Sequence, residues 1–160
     1  MIALHFAPAR LLTIIPLVLT LTLASLVGMA AGPATPRASA LVSAATGDRV
    51  GDIAWTRRGS PYQYGAAGPR RFDCSGLTRW VYARVGKSLP HSSRLQVRKT
   101  TRISRSSARR GDLVFFYSRS GVYHVGIKAR DGYIWHAPKP GTRVRKDRIW
   151  TSKVFFGRVR

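Results

Sequence analysis

The chain has 160 residues, 44% of them hydrophobic, and a single cysteine, so it suits one domain and excludes an internal disulfide. Lys and Arg number 28 against six acids, every one an Asp, for a formal net charge of +22. Such a field draws a protein to polyanions, yet the cations are spread from Arg49 to Arg160 and no base-reading motif accompanies them, so no nucleic-acid partner is expected. One Cys and scattered His residues match no common zinc spacing, and neither a metal nor another cofactor is expected.

At the N-terminus, a short segment ending in Arg10 precedes an uncharged stretch, Leu11 to Gly32, broken by Pro16, Thr20, Thr22 and Ser25. A small-residue segment then ends in Ala38-Ser39-Ala40, an A-x-A cleavage pattern that reads as a signal peptide over residues 1–40. An uncleaved membrane anchor is the alternative, because about 18 uncharged, mostly apolar residues suffice to span a bilayer. Both readings place the domain outside the cytoplasm, secreted or in the cell envelope, with a membrane contact only if the segment is retained. Loss of residues 1–40 removes Arg10 and Arg37 and lowers the +22 to +20. The polyanions available there are anionic wall polymers and lipid headgroups.

Residues 41–49 read as a lead-in and 50–160 as the folded domain. From Asp48 to Arg58, Val50, Ile53, Ala54 and the Arg57 stem follow helical spacing, and Gly59-Ser60-Pro61 ends the run. Pro61-Tyr62-Gln63-Tyr64-Gly65 and a Gly/Pro-rich loop lead to Asp73, a good helix N-cap. Leu77, Val81 and Val85 recur every four residues and Gly86 supplies the stop, which predicts a helix over 74–85 with Cys74 in its first turn. A thiol there gains from the positive end of the helix dipole, and with a basic partner its pKa can fall from about 8.5 to roughly 3.5–7.5. The composition of this turn therefore predicts a nucleophile. His91, in a polar turn beside Pro90, reads as a surface residue.

Between Arg94 and Arg110 lie seven basic residues and no acid. Arg94, Arg98, Arg102, Arg105 and Arg109 share a helical spacing, but the interrupting Ser, Thr and Ile103 argue against one continuous helix; the run reads as a solvated basic face or a patch for wall polymer. Beyond it the chain reads as strands over 113–117, 122–128, 133–137, 143–145 and 154–156, a roughly five-stranded antiparallel sheet. Helices followed by a run of strands make an α+β fold. Asp131-Gly132 is a hairpin turn that sets Lys128 opposite Tyr133 and His124 near residue 137, within one or two places of His136. Cross-strand neighbours on one face lie about 5–8 Å apart, so one imidazole can orient the other. Cys74, His124 and His136 thus form a nucleophile, base and orienter.

With these residues in view, the chain resembles the NlpC/P60 cysteine peptidases. The likeness rests on Gly59-Ser60-Pro61-Tyr62-Gln63-Tyr64-Gly65, Phe72-Asp73-Cys74-Ser75-Gly76-Leu77, Leu89-Pro90-x-Ser92 with Gln96, Gly111-Asp112-Leu113-Val114-Phe115-Phe116, His124-Val125-Gly126-Ile127 and His136-Ala137-Pro138. These segments stand in the family's order and span nearly all of residues 50–160. The resemblance implies a papain-like fold, with N-terminal helices packed on the sheet, and a cell-wall hydrolase acting on peptidoglycan stem peptides. It makes Cys74 the nucleophile, His124 the base, His136 the orienting residue and Tyr62 a hydroxyl that helps the Cys74 N–H hold the oxyanion. It makes Asp73 and Ser75 a grip for a free peptide amine, and the bond between γ-D-glutamate and the diamino acid the one cut. Two positions depart from the family pattern: His91 stands where arginine is more common, and Arg110 where proline usually precedes Gly111-Asp112. The domain is expected to act as a monomer. A non-catalytic basic wall-binding protein and a thiol acyltransferase on the same scaffold are the rival readings.

Overall fold

The computed structural model describes residues 41–160; the predicted leader and its cleavage site lie outside the described residues. Helix α1 (Ala44–Trp55) starts at Ser43, whose hydroxyl accepts the Thr46 N–H. It begins four residues before the predicted Asp48 start, inside the stretch read as a lead-in. The first turn, Ala44-Ala45-Thr46-Gly47, has no large apolar residue to signal a helix. Its glycine serves a close approach instead: a Cβ on Gly47 would stand 2.5 Å from the Arg110 carbonyl oxygen.

Helix α2 (Cys74–Ala83) is capped by Asp73 as predicted, and it buries Leu77, Val81 and Tyr82 completely. The basic run does not form one helix. It splits into a short α3 (Ser93–Val97), capped by Ser92, and a strand, β1 (Thr100–Ile103). Five further strands follow: β2 (Leu113–Ser118), β3 (Gly121–Lys128), β4 (Tyr133–His136), β5 (Arg145–Arg148) and β6 (Val154–Val159).

The sheet therefore has six strands, in the order β1-β6-β2-β3-β4-β5, where the sequence predicts about five. β1 escapes the pattern because it is a short edge strand, Thr-Thr-Arg-Ile, with only polar Thr101 and cationic Arg102 on its exposed positions, and a charge on an edge is a common protection against stray pairing. β5 lies two residues later than predicted, since its Arg-Lys-Asp-Arg sequence offers no apolar alternation at all. Every strand pair is antiparallel, and helices precede the sheet, so the α+β architecture is as read from the sequence.

β2 sits at the centre and is apolar on both faces. Leu113 and Phe115 join Val125, Ile127, Leu77, Val81 and Val50 in the core beneath the helices. Val114 and Phe116 face the other way, with Ile134 and Phe156. Entry to β2 is tied down by a buried ion pair: Arg158 donates from Nε and Nη2 to Asp112, both at 2.9 Å, and the Arg109 N–H reaches the same carboxylate at 2.8 Å. Gly111 beside it has φ 91°, and any Cβ would lie 2.3 Å from the Gly47 carbonyl oxygen. The Tyr82 hydroxyl closes the group by donating to the Gly111 carbonyl at 2.5 Å.

Two local irregularities aim the site. Phe116 pairs with His124 but Tyr117 pairs with Val122, so Tyr123 is an extra residue, a β-bulge directly before His124. After the turn, where Asp131 and Gly132 both take positive φ, Lys128 lies opposite Ile134 and not Tyr133. Continuing that register sets His124 opposite residue 138, with His136 two places along on the same face. The one-residue difference from the sequence expectation decides the matter, because a slip of one turns a side chain to the other face of the sheet.

Removing one partner of the buried pair leaves the other charge stranded. Asp112→Ala is expected to lose about 3–5 kcal/mol of stability, read as a lowered urea midpoint with an unchanged slope.

Candidate active site

Cys74 stands in the first turn of α2 because Asp73 stops the loop and starts the helix there. Asp73 is only 6% exposed and its two oxygens collect four donors. Oδ1 accepts the Gly76 N–H at 2.7 Å and the Ser75 hydroxyl at 3.1 Å. Oδ2 accepts the Gly65 N–H at 2.9 Å and lies 2.8 Å from His91 Nε2. His91 is therefore not the surface residue that the sequence suggests. It is half-buried and pairs with Asp73 beside the thiol, a contact invisible in sequence because the two are 18 residues apart.

The first turn is held from both sides. A Cβ on Gly76 would fall 2.1 Å from the Ala66 carbonyl oxygen, so only glycine lets the 66–67 loop lie against the helix. Gln96 of α3 is fully buried, accepts the Thr78 hydroxyl at 2.7 Å, and donates to the carbonyls of Ser75 at 2.9 Å and Pro90 at 2.8 Å. Gln96 fastens α3 and the His91 turn to the helix that carries Cys74.

Cys74 lines a cleft of about 520 Å³ with Tyr62, Asp73, Ser75 and His91. His124 and His136 line a second cleft of about 620 Å³, and Tyr123, at the bulge, borders both. The backbone N–H of Val125, the residue after His124, hydrogen-bonds the Cys74 sulfur.

The histidines form a directed chain. His124 Nε2 is 2.9 Å from His136 Nδ1, and His136 Nε2 is 3.0 Å from Asp147 Oδ2. An ionised carboxylate only accepts, so His136 carries its proton on Nε2 and presents a bare Nδ1. His124 must then donate from Nε2, which leaves its Nδ1 lone pair free to accept a proton. Arg145 Nε holds the same Asp147 oxygen at 2.7 Å. Burial pushes Asp147 up, but the hydrogen bonds from Arg145 and His136 outweigh it and keep its carboxyl below the usual range. Asp147 was missed by sequence reasoning. It lies in a charged tetrapeptide with no periodic signal, and only the pairing of His136 with Arg145 across β4 and β5 brings it near.

The resting charge state differs from the sequence expectation of a lowered thiol pKa. Burial pushes the Cys74 thiol up and the Asp73 charge adds to this; the N–H groups of Val125, Ser75 and Cys74 offset only part. Burial and the neighbouring His136 bring His124 down from its ordinary 6.5 to about 3. Burial also lowers His136, against the pull of Asp147. The pair thus rests as thiol and neutral imidazole. Partial burial, then the nearby Cys74 and Asp73, raise the Tyr62 phenol, which keeps its proton and remains a donor.

A family model, the NlpC/P60 family, matches residues 59–158. The chain belongs to the NlpC/P60 family. A probable endopeptidase of Corynebacterium glutamicum is 47% identical over 107 residues, covering 67% of this chain and 50% of that protein. The probable endopeptidase p60 of Listeria monocytogenes is 47% identical over 106 residues, 63% of this chain but 22% of its own length. The chain thus spans half or less of these curated relatives. Among solved structures, the NlpC/p60 domain of the peptidoglycan hydrolase SagA superposes with a TM-score of 0.65 at 36% identity, over 71% of this chain and 98% of that one. A hypothetical invasion protein of Mycobacterium tuberculosis gives 0.61 at 32% identity, over 74% of this chain and 65% of its own. This NlpC/P60 domain accordingly has the family's papain-like α+β fold.

Two outcomes are expected. The unfolded chain binds a proton at His124 below about 6.5, whereas the folded chain does so only near 3. Stability should therefore decline as pH falls through that window, and the drop in Tm between pH 7 and pH 4 should be shallower in His124→Gln than in the unaltered chain. Asp147→Ala removes the acceptor that fixes the His136 tautomer and should lower kcat by about 10- to 100-fold, by analogy with lost hydrogen-bond supports of metal-ligating histidines, with KM little changed.

Proposed function

We propose that this NlpC/P60 domain hydrolyses amide bonds in the stem peptides of peptidoglycan by a Cys74–His124–His136 thiol mechanism. The observation that carries the reading is the directed hydrogen-bond chain from Asp147 through His136 to His124, beside a helix-start thiol that the N–H of the next residue, Val125, hydrogen-bonds. Family membership supports it, as does the naming of relatives as endopeptidases and of a structural neighbour as a peptidoglycan hydrolase.

The Cys74 sulfur attacks the amide carbonyl as its proton passes to His124 Nδ1. The oxyanion is held by the Cys74 backbone N–H and the Tyr62 hydroxyl. His124 then protonates the departing nitrogen, leaving an acyl thioester. A water gives a proton to His124 and attacks the thioester, releasing a carboxylic acid and restoring the thiol. With a neutral resting pair, proton transfer and attack are coupled, and His136 shares the charge that His124 acquires.

The acyl half of the substrate lies in the Cys74 cleft. There Asp73 and Ser75 grip a free peptide amine, with His91 as the partner that an incoming ammonium displaces from Asp73 Oδ2. This favours short stem peptides and a cut between γ-D-glutamate and the diamino acid. Residues 1–40 direct the enzyme out of the cytoplasm, and its cationic surface holds it, as a monomer, on anionic wall polymers.

Digestion of purified peptidoglycan with the full chain under reducing conditions, read by mass spectrometry beside Cys74→Ala, tests the reading. New fragments are expected from the unaltered chain only, with masses that place a free diamino acid amine at the new terminus. Equal digestion by Cys74→Ala would refute the thiol mechanism.

A further inference from the structure

The run of cations between Arg94 and Arg110 is only partly used by the fold. Arg94 donates to the carbonyls of Ser120 and Val122, and Arg110 pairs with Asp48 and Asp52. Arg98, Lys99, Arg102 and Arg105 are exposed and make no ion pair and no side-chain hydrogen bond among the described residues. Asp112, the next acid in the chain, is already held by Arg158. All four cations belong to β1 or flank it, and β1 is the outermost strand, so its outer backbone edge has no strand partner. Two of the four are set in place by rings of β6. The Arg102 guanidinium lies 4.7 Å from the centre of Phe155, and that of Arg105 lies 5.4 Å from the centre of Phe156. Phe155 belongs to the sheet face under the helices and Phe156 to the opposite face, so these guanidiniums flank the edge from its two sides. Stacking on a ring leaves the N–H fork free for an anion.

The layout and chemistry of this edge point to its partner. Charges that follow one another along a strand, with Lys99 and Arg102 about 10 Å apart at the ordinary rise, fit a linear polyanion. A guanidinium fork matches phosphate oxygens in pairs. No large apolar side chain of residues 98–108 is exposed to enter a lipid surface. We propose that the β1 edge seats a linear phosphodiester polymer of the cell wall, held by Arg98, Lys99, Arg102 and Arg105. This rests on the export and wall attachment read above and gives the attachment a place. β6 and β2 stand between β1 and the strand of His124, about 14 Å at the usual strand spacing, so a bound polymer leaves both clefts open to a stem peptide.

The test compares Arg98→Gln/Lys99→Gln/Arg102→Gln/Arg105→Gln with Arg49→Gln/Arg70→Gln/Arg79→Gln/Arg130→Gln, which removes the same charge from exposed positions elsewhere. Binding of the full chain to poly(glycerol phosphate) should weaken about tenfold in the first variant, roughly what four exposed charge contacts contribute, and far less in the second. The slope of log affinity against log salt should become shallower in the first variant. On a soluble stem tripeptide both variants should keep the kcat/KM of the unaltered chain. In the unaltered chain, bound polymer should also shield Arg102 and Arg105 from phenylglyoxal, read by peptide mass, and leave Arg49 and Arg79 reactive. Equal weakening in the two variants, or no shielding of Arg102 and Arg105, would overturn the site. Tighter binding to duplex DNA or to phosphatidylglycerol vesicles than to poly(glycerol phosphate) would overturn it too. Polymer binding that depends on the β1 edge without any peptide hydrolysis would refute the hydrolase and uphold the site, and hydrolysis without polymer binding would do the reverse.

Discussion

The carboxylate of Asp73 is the contact on which the site depends. One buried group ends the 65–72 loop, starts α2, orients Ser75 and anchors the His91 turn. It reconciles two opposed demands. Cys74 sits at a helix start, where N–H groups face the sulfur, and that same turn is packed tightly enough to hold the thiol in place. Packing costs solvation, and burial of Cys74 and His124 outweighs the favourable dipole. The Cys74 thiol and the His124 imidazole consequently rest neutral.

Scarcity of acids sharpens the point. In a chain with six carboxylates against 28 Lys and Arg, most acids are spent on specific tasks. Asp73 caps the catalytic helix, Asp112 pairs with Arg158 at the entry to the central strand, and Asp147 sets the histidine tautomers. Asp48 and Asp52 hold Arg110 against α1, and Asp131 takes the left-handed turn position of the β3–β4 hairpin. Most of the other Lys and Arg residues of the described chain have no carboxylate partner.

Much of the fold was legible in local signals. The Asp73 cap, the Leu77–Val81 spacing and the Asp131-Gly132 turn each act within a few residues, so pattern alone reveals them. What pattern missed had no local cause. β1 and β5 are strands whose outward residues are polar or charged, and α1 begins on small residues that serve a close approach to Gly111. His91 looked like solvent-facing punctuation until folding set it against Asp73.

By itself, the sequence determined which groups are candidates for the chemistry: one cysteine at a capped helix start, two histidines on successive strands, and a tyrosine in the preceding loop. Those choices are local in composition and spacing. Tertiary structure alone decided how the groups are charged and connected. A bulge at Tyr123 and a one-residue step in the β3–β4 register put His124 and His136 on one face. The pairing of β4 with β5 supplied Asp147, and burial fixed the protonation of the pair. Register, burial and long-range pairing are properties of the assembled sheet, and no window of sequence contains them.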